Sequence, residues 1–365
     1  MTAVRVAAIA EALREAGLLA GEQGTMPDTI THVTDDSRAV VPGGLFIAVK
    51  GTATDAHDYI AKARAAGAAL VLAEGAAKAG SPALLVRDGR RAAAVAAAAF
   101  YDFPARGMRI VGVTGTNGKT TTVGMLRYLL DAPTGRAASI GTLGVLVGRG
   151  GDPVDGGAGL TTPGPVELQR VLRVLADRGV RTVAMEVSSH SLDQQRVEGV
   201  AFAAAIFTNL TRDHLDYHGT MEAYLASKRI LFERILVDGG TAVLNADVKE
   251  SAELEIAAKK RGLRTLKVGA AACADIRLLL RLPDATGQKL RLAFGGATVE
   301  IRLPLLGAFQ ASNAIVALGL VVACGAPFAK AAEALAHLEG VPGRLQLVAE
   351  RKNGAKVFEI GRAHV

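Results

Sequence analysis

Residues 109–122 read RIVGVTGTNGKTTT. An apolar run at 110–113 enters a loop holding Gly115 and Gly118, and beyond it Val123, Leu126, Leu129 and Leu130 recur at helical spacing. Glycines let a backbone turn its N–H groups toward a phosphate, and the N-terminus of the following helix adds partial positive charge. The nucleotide-binding candidates are therefore Gly115, Thr116, Asn117, Gly118, Lys119, Thr120 and Thr121. Lys119 would neutralise phosphate oxygens, and the Thr120 hydroxyl would hold Mg²⁺. Val113 stands where the common form of such a loop has its first glycine, so this is a variant of the form G-T-N-G-K-T-T. A glycine turn between strand and helix needs no lysine; a phosphate site does.

On either side, strands alternate with helices, the pattern of an α/β protein with mostly parallel sheets. At 365 residues, and about 150 per domain, the chain has room for two or three domains. Residues 1–105 hold short units: a strand at 44–49, a helix at 56–66 and a strand at 69–73. Tyr101-Asp102-Phe103-Pro104 reads as a hinge, because Pro104 ends the alanine-rich helix before it. A second domain is expected over 106–340, with strands at 182–187, 202–207 and 241–244 and a Gly/Asp-rich stretch at 148–159. Pro342-Gly343 marks the start of a third piece, 341–365.

Composition narrows the function. Half the residues are hydrophobic and 21% are charged, which excludes wholesale disorder. Aromatic residues make up 4%, Trp is absent and Gly numbers 42, so thin layers with close backbones are expected. The N-terminal run carries acids and lacks a signal-peptide core. The uncharged run at 312–329 is broken by Gly319, Gly325 and Pro327, which suits a buried helix and a turn rather than a membrane span. Two distant cysteines, Cys273 and Cys324, make no disulfide framework and fit a reducing cytoplasm. The net charge of +7 is scattered without interleaved aromatics, which disfavours nucleic acid and suits a polyanionic small substrate.

Two further stretches carry chemistry. In 221–236, MEAYLASKRILFERIL, Met221, Tyr224, Leu225, Phe232 and Ile235 mark one helical face, and Lys228 falls within that stripe. A buried ammonium is costly unless paired, neutralised or modified; the alternative is a lysine snorkelling from the stripe's edge. In 185–190, MEVSSH, Glu186 ends an apolar strand, where open α/β sheets place ligands. It reads either as a solvated acid or, beside a phosphate loop, as a magnesium ligand. The loop TNLTRDHLDYHG at 208–219 holds His214 and His218 four apart, but without the glutamate or cysteines of a zinc site.

Taken in order, G-T-N-G-K-T-T, M-E-V-S-S-H-S-L, T-N-L-T-R-D-H-L-D-Y-H-G-T-M-E-A-Y and S-K-R-I-L-F resemble the Mur ligases of peptidoglycan synthesis, MurE branch, over about residues 30 to 350. Asp35-Asp36-Ser37-Arg38 and the segment 42–51 resemble their N-terminal UDP-binding domain. The resemblance implies three domains: an N-terminal α/β UDP-binding domain, a central P-loop ATPase-like domain and a C-terminal Rossmann-like domain of which only the start is present. It implies an acid–amino-acid ligase of class 6.3.2, cytoplasmic and monomeric, without nucleic acid or membrane insertion. ATP would phosphorylate the D-Glu carboxylate of UDP-N-acetylmuramoyl-L-Ala-D-Glu, and the amine of meso-diaminopimelate or L-lysine would displace the phosphate.

By the same resemblance, Thr120 and Glu186 hold one Mg²⁺, His214 serves a second, and Lys228 is carbamylated to serve it too. Lys119, Glu186, His214 and Lys228 form the catalytic set. Asn313 and Arg344 meet the nucleotide, although Gln310 stands where the family has Asn and Gln346 where Glu is common. Ser37, Thr161, Thr162, Ser188, Gln194 and Arg196 fall on substrate-facing positions. The last run, Glu359-Ile-Gly-Arg-Ala-His-Val365, departs from the implied continuation and reads as adapter sequence. The expectations are that 359–365 is artefactual, that the final strand lacks sheet partners, and that the chain alone ligates poorly. Two rivals stand beside this reading. A folylpolyglutamate or cyanophycin-type ligase shares the loop, and a non-catalytic nucleotide-binding protein would need no Lys228/His214/Glu186 trio.

Overall fold

A computed structural model describes residues 3–52, 54–76, 78–157, 159–344, 346–351 and 356–359. The chain divides into two compact units. The first comprises Met1–Gly107, Pro163–Arg178 and Asp193–Val200, and the second comprises Met108–Thr162, Gly179–Leu192 and Ala201–Val365. The two short later segments fall with the first unit rather than with the chain on either side of them.

In the first unit, Val33–Thr34, Leu45–Ile47, Leu70–Glu74 and Ala83–Val86 run parallel, and Leu19–Gln23 adds an antiparallel edge. The expected helix at 56–66 begins as a 3₁₀ turn, Ala56–Tyr59, and continues as Ile60–Ala65. Gly89–Phe100 is capped by Asp88, whose side chain accepts the Arg91 N–H at 3.0 Å. Its alanines Ala92, Ala93, Ala96 and Ala97 share a core with Ile9, Leu13 and Val166, small side chains allowing the close helix packing that the composition predicts. At the hinge, Asp102 and Phe103 take left-handed backbone (φ 58 and 43), and Pro104 opens a short 3₁₀ turn.

The second unit is built on an eleven-stranded sheet among the described residues. Its parallel centre runs in the order Arg136–Gly141, Val180–Glu186, Arg109–Thr114, Phe202–Phe207, Leu236–Asn245, Arg264–Gly269. Antiparallel strands extend it at both edges: Gly144–Val147 and Asp152–Val154 at one, Gly287–Phe294 and Ala297–Leu303 beyond Ile276–Asp284 at the other. The strand before the phosphate loop is therefore flanked by two parallel neighbours. Register pairs Glu186 with Val113 and Phe207 with Thr114, so three strands deliver their carboxyl ends side by side. The loop helix Lys119–Leu130 and the apolar helix Ala308–Ala323 pack on the sheet through Val123, Leu126, Ala311, Ile315 and Leu318. Burying each such leucine or isoleucine is worth about 1.5–3 kcal/mol.

The expectation of an unpartnered last strand is overturned. Lys356–Glu359 pairs antiparallel with Gln346–Glu350, because a local hairpin meets its backbone needs without a larger sheet. Residues 360–365 lie outside the described residues. Among the described residues, no helix is long and apolar enough to cross a membrane.

Candidate active site

The phosphate loop leaves its strand at Thr114 and enters its helix through Gly118, which has φ 86. An added Cβ at Gly118 would collide with the Asn313 side chain, so the close approach and the left-handed backbone both require glycine. The loop is braced by the run 208–211. Asn209 Oδ1 accepts the Asn117 N–H at 2.9 Å, Asn209 O accepts the Thr116 N–H at 2.9 Å, and Thr208 Oγ1 donates to Asn117 O at 2.7 Å. Thr116 Oγ1 both donates to Thr211 O (3.2 Å) and accepts from Thr211 N–H (3.0 Å). Sequence reading attached no role to Thr208, Asn209 or Thr211. Partners some 90 positions apart leave no periodic trace.

Glu186 is 1% exposed. Its carboxylate accepts the Thr142 N–H at 2.8 Å and the Thr120 hydroxyl at 3.1 Å, with the Thr142 hydroxyl at 3.3 Å. Burial raises its pKa above the ordinary glutamate value, against the pull of the Thr142 N–H and of Lys119. A Cβ on Gly141 would overlap this carboxylate, so glycine there makes room for it. Thr142 is a second residue that sequence reading missed. A cavity of about 380 Å³ opens beside Thr120 and Glu186, lined also by Arg127, Tyr128, Leu143 and Val341.

Lys228 is also 1% exposed, within the stripe of Tyr224, Leu225, Leu231 and Phe232. It does not snorkel. Its Nζ donates to Gly115 O at 3.0 Å and lies 4.2 Å from the Tyr224 ring centroid. Lys119 Nζ donates to the same carbonyl at 3.0 Å and to Thr116 O at 2.9 Å. Burial first, then the Lys119 charge, push the Lys228 pKa well below that of an ordinary lysine. His214 is exposed, has φ 51, and packs edge-on against His190 at 4.8 Å.

The remaining candidates divide. Thr161 Oγ1 lies 3.3 Å from Thr142 Oγ1. Thr162 is fully buried, and its hydroxyl bridges Glu186 O (2.9 Å) and the Ser188 N–H (3.1 Å), a scaffold role rather than an open contact. Ser188 Oγ accepts the Ser191 N–H at 3.1 Å. Thr121 is buried in the loop helix. Asn313 is buried beside Gly118, and Gln310, also buried, donates to Arg344 O at 3.1 Å. Burial lowers the Lys119 pKa, and the Arg344 charge adds to that. Ser37, Gln194 and Arg196 belong to the first unit, where Arg196 donates to Gln194 Oε1 at 3.1 Å through Nε. A smaller cavity of about 190 Å³ in the second unit is lined by Asn245, Asp247, Gly269 and Ser312, none of which sequence reading singled out.

Thr120 and Glu186 suit a hard cation: two oxygen donors at a helix N-terminus, next to a phosphate loop. The lysine side is different. Among the described residues, no group of three or more His, Cys, Asp or Glu stands ready for a metal, and an amine donating to Gly115 O is not a ligand. A carbamate on Lys228 would supply the missing oxygens.

A phosphate loop central in a parallel sheet, with a buried carboxylate on the adjacent strand end, defines a nucleoside-triphosphate-binding α/β protein. The Mur ligase middle domain matches residues 113–321, and the Mur ligase family catalytic domain matches 29–101. The chain is 45% identical over 333 residues to a UDP-N-acetylmuramoyl-L-alanyl-D-glutamate–2,6-diaminopimelate ligase of Caulobacter vibrioides, covering 90% of this chain and 68% of that protein. A protein of the same name from Bradyrhizobium diazoefficiens is 44% identical, at 90% and 67% coverage. A solved structure of a ligase of that name superimposes with TM-score 0.78 at 28% identity, covering 89% of this chain and 66% of the other. The chain belongs to the Mur ligase family, and it spans about two thirds of the length of these relatives.

Proposed function

We propose that the chain is the N-terminal and central part of an ATP-dependent ligase joining 2,6-diaminopimelate to UDP-N-acetylmuramoyl-L-Ala-D-Glu in the cytoplasm, as a monomer. Residues 1–105 would hold the UDP end through Ser37, 106–340 would hold ATP, and 341–365 would begin the domain that presents the amine. The names of the relatives support diaminopimelate over lysine. The observation that carries the reading is Lys228, buried in an apolar stripe with its Nζ on the phosphate-loop carbonyl of Gly115.

The residues divide the work. The loop N–H groups and Lys119 cradle the β- and γ-phosphates, which requires Lys119 to leave the carbonyls of Gly115 and Thr116. Asn313 and Arg344 meet the nucleotide, and the cavity at Asn245 and Asp247 takes its nucleoside end. Thr120 and Glu186 would hold one Mg²⁺, and His214 and carbamylated Lys228 would hold the second. Bound there, the ions neutralise charge on the transferred phosphoryl group. Thr161, Ser188, Gln194 and Arg196 orient the muramoyl-dipeptide, and Thr162 keeps Ser188 beside Glu186. The D-Glu carboxylate would take the γ-phosphoryl group of ATP with ADP as the leaving group, the amine would attack the acyl carbon and give up a proton, and phosphate would leave as the amide forms.

The test is phosphate release by the full-length protein, with and without the muramoyl-dipeptide, for each candidate amine. Release that needs both the dipeptide and diaminopimelate is expected. Turnover without the dipeptide would replace this reading with a nucleotide switch, and dependence on a pteroyl substrate would replace it with a folate-type ligase.

A further inference from the structure

His218 lies outside every role given so far, yet it stands between the two halves of the site. Its Nε2 is 2.9 Å from Ser189 Oγ, three residues beyond Glu186, and its Nδ1 is 3.3 Å from Ser227 Oγ, next to Lys228. Both serines are buried, at 2% and 7% exposure. The ring is held among Tyr224 (5.1 Å), Tyr217 (4.8 Å) and His190 (5.4 Å).

The hydrogen bonds have a direction. Ser227 has one hydroxyl proton, and it goes to Ala223 O at 3.0 Å, the usual back-bond of a helical serine. Ser227 Oγ then accepts from His218, which puts the ring proton on Nδ1. In the neutral ring Nε2 then keeps its lone pair and accepts from the Ser189 hydroxyl. We infer that His218, as its Nδ1–H tautomer, is a positioning residue that ties the strand end carrying Glu186 to the helix carrying Lys228 and sets their separation across the phosphate loop. This rests on the reading of Glu186 and Lys228 as the metal-directed pair.

The tautomer is read first. A long-range ¹H–¹⁵N correlation spectrum of the ¹⁵N-histidine-labelled chain, assigned with His218→Asn, should show His218 protonated at Nδ1 and bare at Nε2. A proton on Nε2 overturns the inference. Function is read on two variants that each keep one side of the clamp. His218→Asn places an amide nitrogen near the Nδ1 position and keeps Ser227, whereas His218→Gln places its amide near the Nε2 position and keeps Ser189.

In the full-length protein, both variants should lower kcat about 10- to 100-fold and raise the Mg²⁺ concentration for half-activity, with KM for ATP and the dipeptide unchanged. Mn²⁺ binding to the 365-residue chain, followed by electron paramagnetic resonance, should weaken by about tenfold. A purely structural histidine would lower the melting temperature and leave Mn²⁺ affinity and the Mg²⁺ response alone, and that result overturns the inference. If either variant fails to fold, Ser227→Ala removes the acceptor and should weaken Mn²⁺ binding in the same direction; wild-type affinity there also overturns it. The two readings fail separately: a wild-type chain that binds no Mn²⁺ refutes the metal pair, whereas wild-type binding that the variants leave unchanged refutes only the clamp.

Discussion

Glu186, at the end of a strand, and Lys228, on the helix Met221–Ile230, are equally buried, but their surroundings treat them in opposite ways. Glu186 sits in a finished nest, with an N–H and two hydroxyls directed at its oxygens. Lys228 has one carbonyl, shares it with a second lysine, and gains besides it the face of Tyr224 and the charge of Asp213, which do not offset its burial. This imbalance is what the proposed carbamylation of Lys228 would relieve, by replacing the free amine with an anion. The carboxylate half of the site has its hydrogen-bond partners on folding, whereas in the proposed reading the lysine half gains its own only on carbamylation.

The strongest way to break this contrast is Lys228→Met, which keeps the shape and removes the amine. Turnover of the full-length protein should fall by about 10³-fold or more, as when a ligand that neutralises a transferred phosphoryl group is lost. Its folding stability, from chemical denaturation in bicarbonate-free buffer, should rise by about 1 kcal/mol, because the desolvation cost of the amine is gone. Loss of both activity and stability would mean that Lys228 is an ordinary structural residue.

Glu186→Gln should cost about 10²-fold in turnover, since the neutral amide still accepts the Thr142 N–H through its oxygen but loses the charge and the second acceptor atom. The two variants also carry opposite pH signatures in metal-free buffer. Burial raises the folded pKa of Glu186 above 4.5, so wild type loses stability relative to Glu186→Gln as pH rises from 4.5 through the folded value. The folded pKa of Lys228 lies below 10.5, so wild type recovers stability relative to Lys228→Met as pH climbs toward 10.5. Parallel melting curves across pH would remove the contrast.

Two smaller effects sharpen the finished half. Gly118→Ala should destabilise by about 2 kcal/mol, because the left-handed backbone and the Asn313 side chain both oppose a Cβ. Asn209→Ala, which removes two hydrogen bonds to Asn117, should cost about 1 kcal/mol and raise KM for ATP more than it lowers kcat. Thermal unfolding and initial-rate kinetics check both.

Local signals were legible. The strand, loop and helix of 109–130 and the stripe around Lys228 are periodic over one or two turns, so spacing alone placed them. Glu186 was legible as a carboxylate at a strand end, the resemblance added the metal role of His214, and the sheet register brought Glu186 to the loop. Illegible were the residues whose meaning lies in distant partners: Thr142 on Glu186, Asn209 on Asn117, and Thr162, whose hydroxyl turns inward. Gln310 misled for another reason. It departs from the family residue, yet its amide anchors the backbone of Arg344. The helix Pro165–Asp177 was equally opaque, because an amphipathic pattern reports that one face is buried and not which core receives it.

That helix has a consequence for inheritance. Between residues 107 and 201 the chain changes unit five times, and Val166 completes a core whose other members lie before residue 104. A single genetic crossover at the hinge would separate that core from its own valine. Recombination that exchanges the front of this gene for a relative's keeps that core whole only if it carries the stretch through residue 200, and such an exchange would in turn divide the second unit.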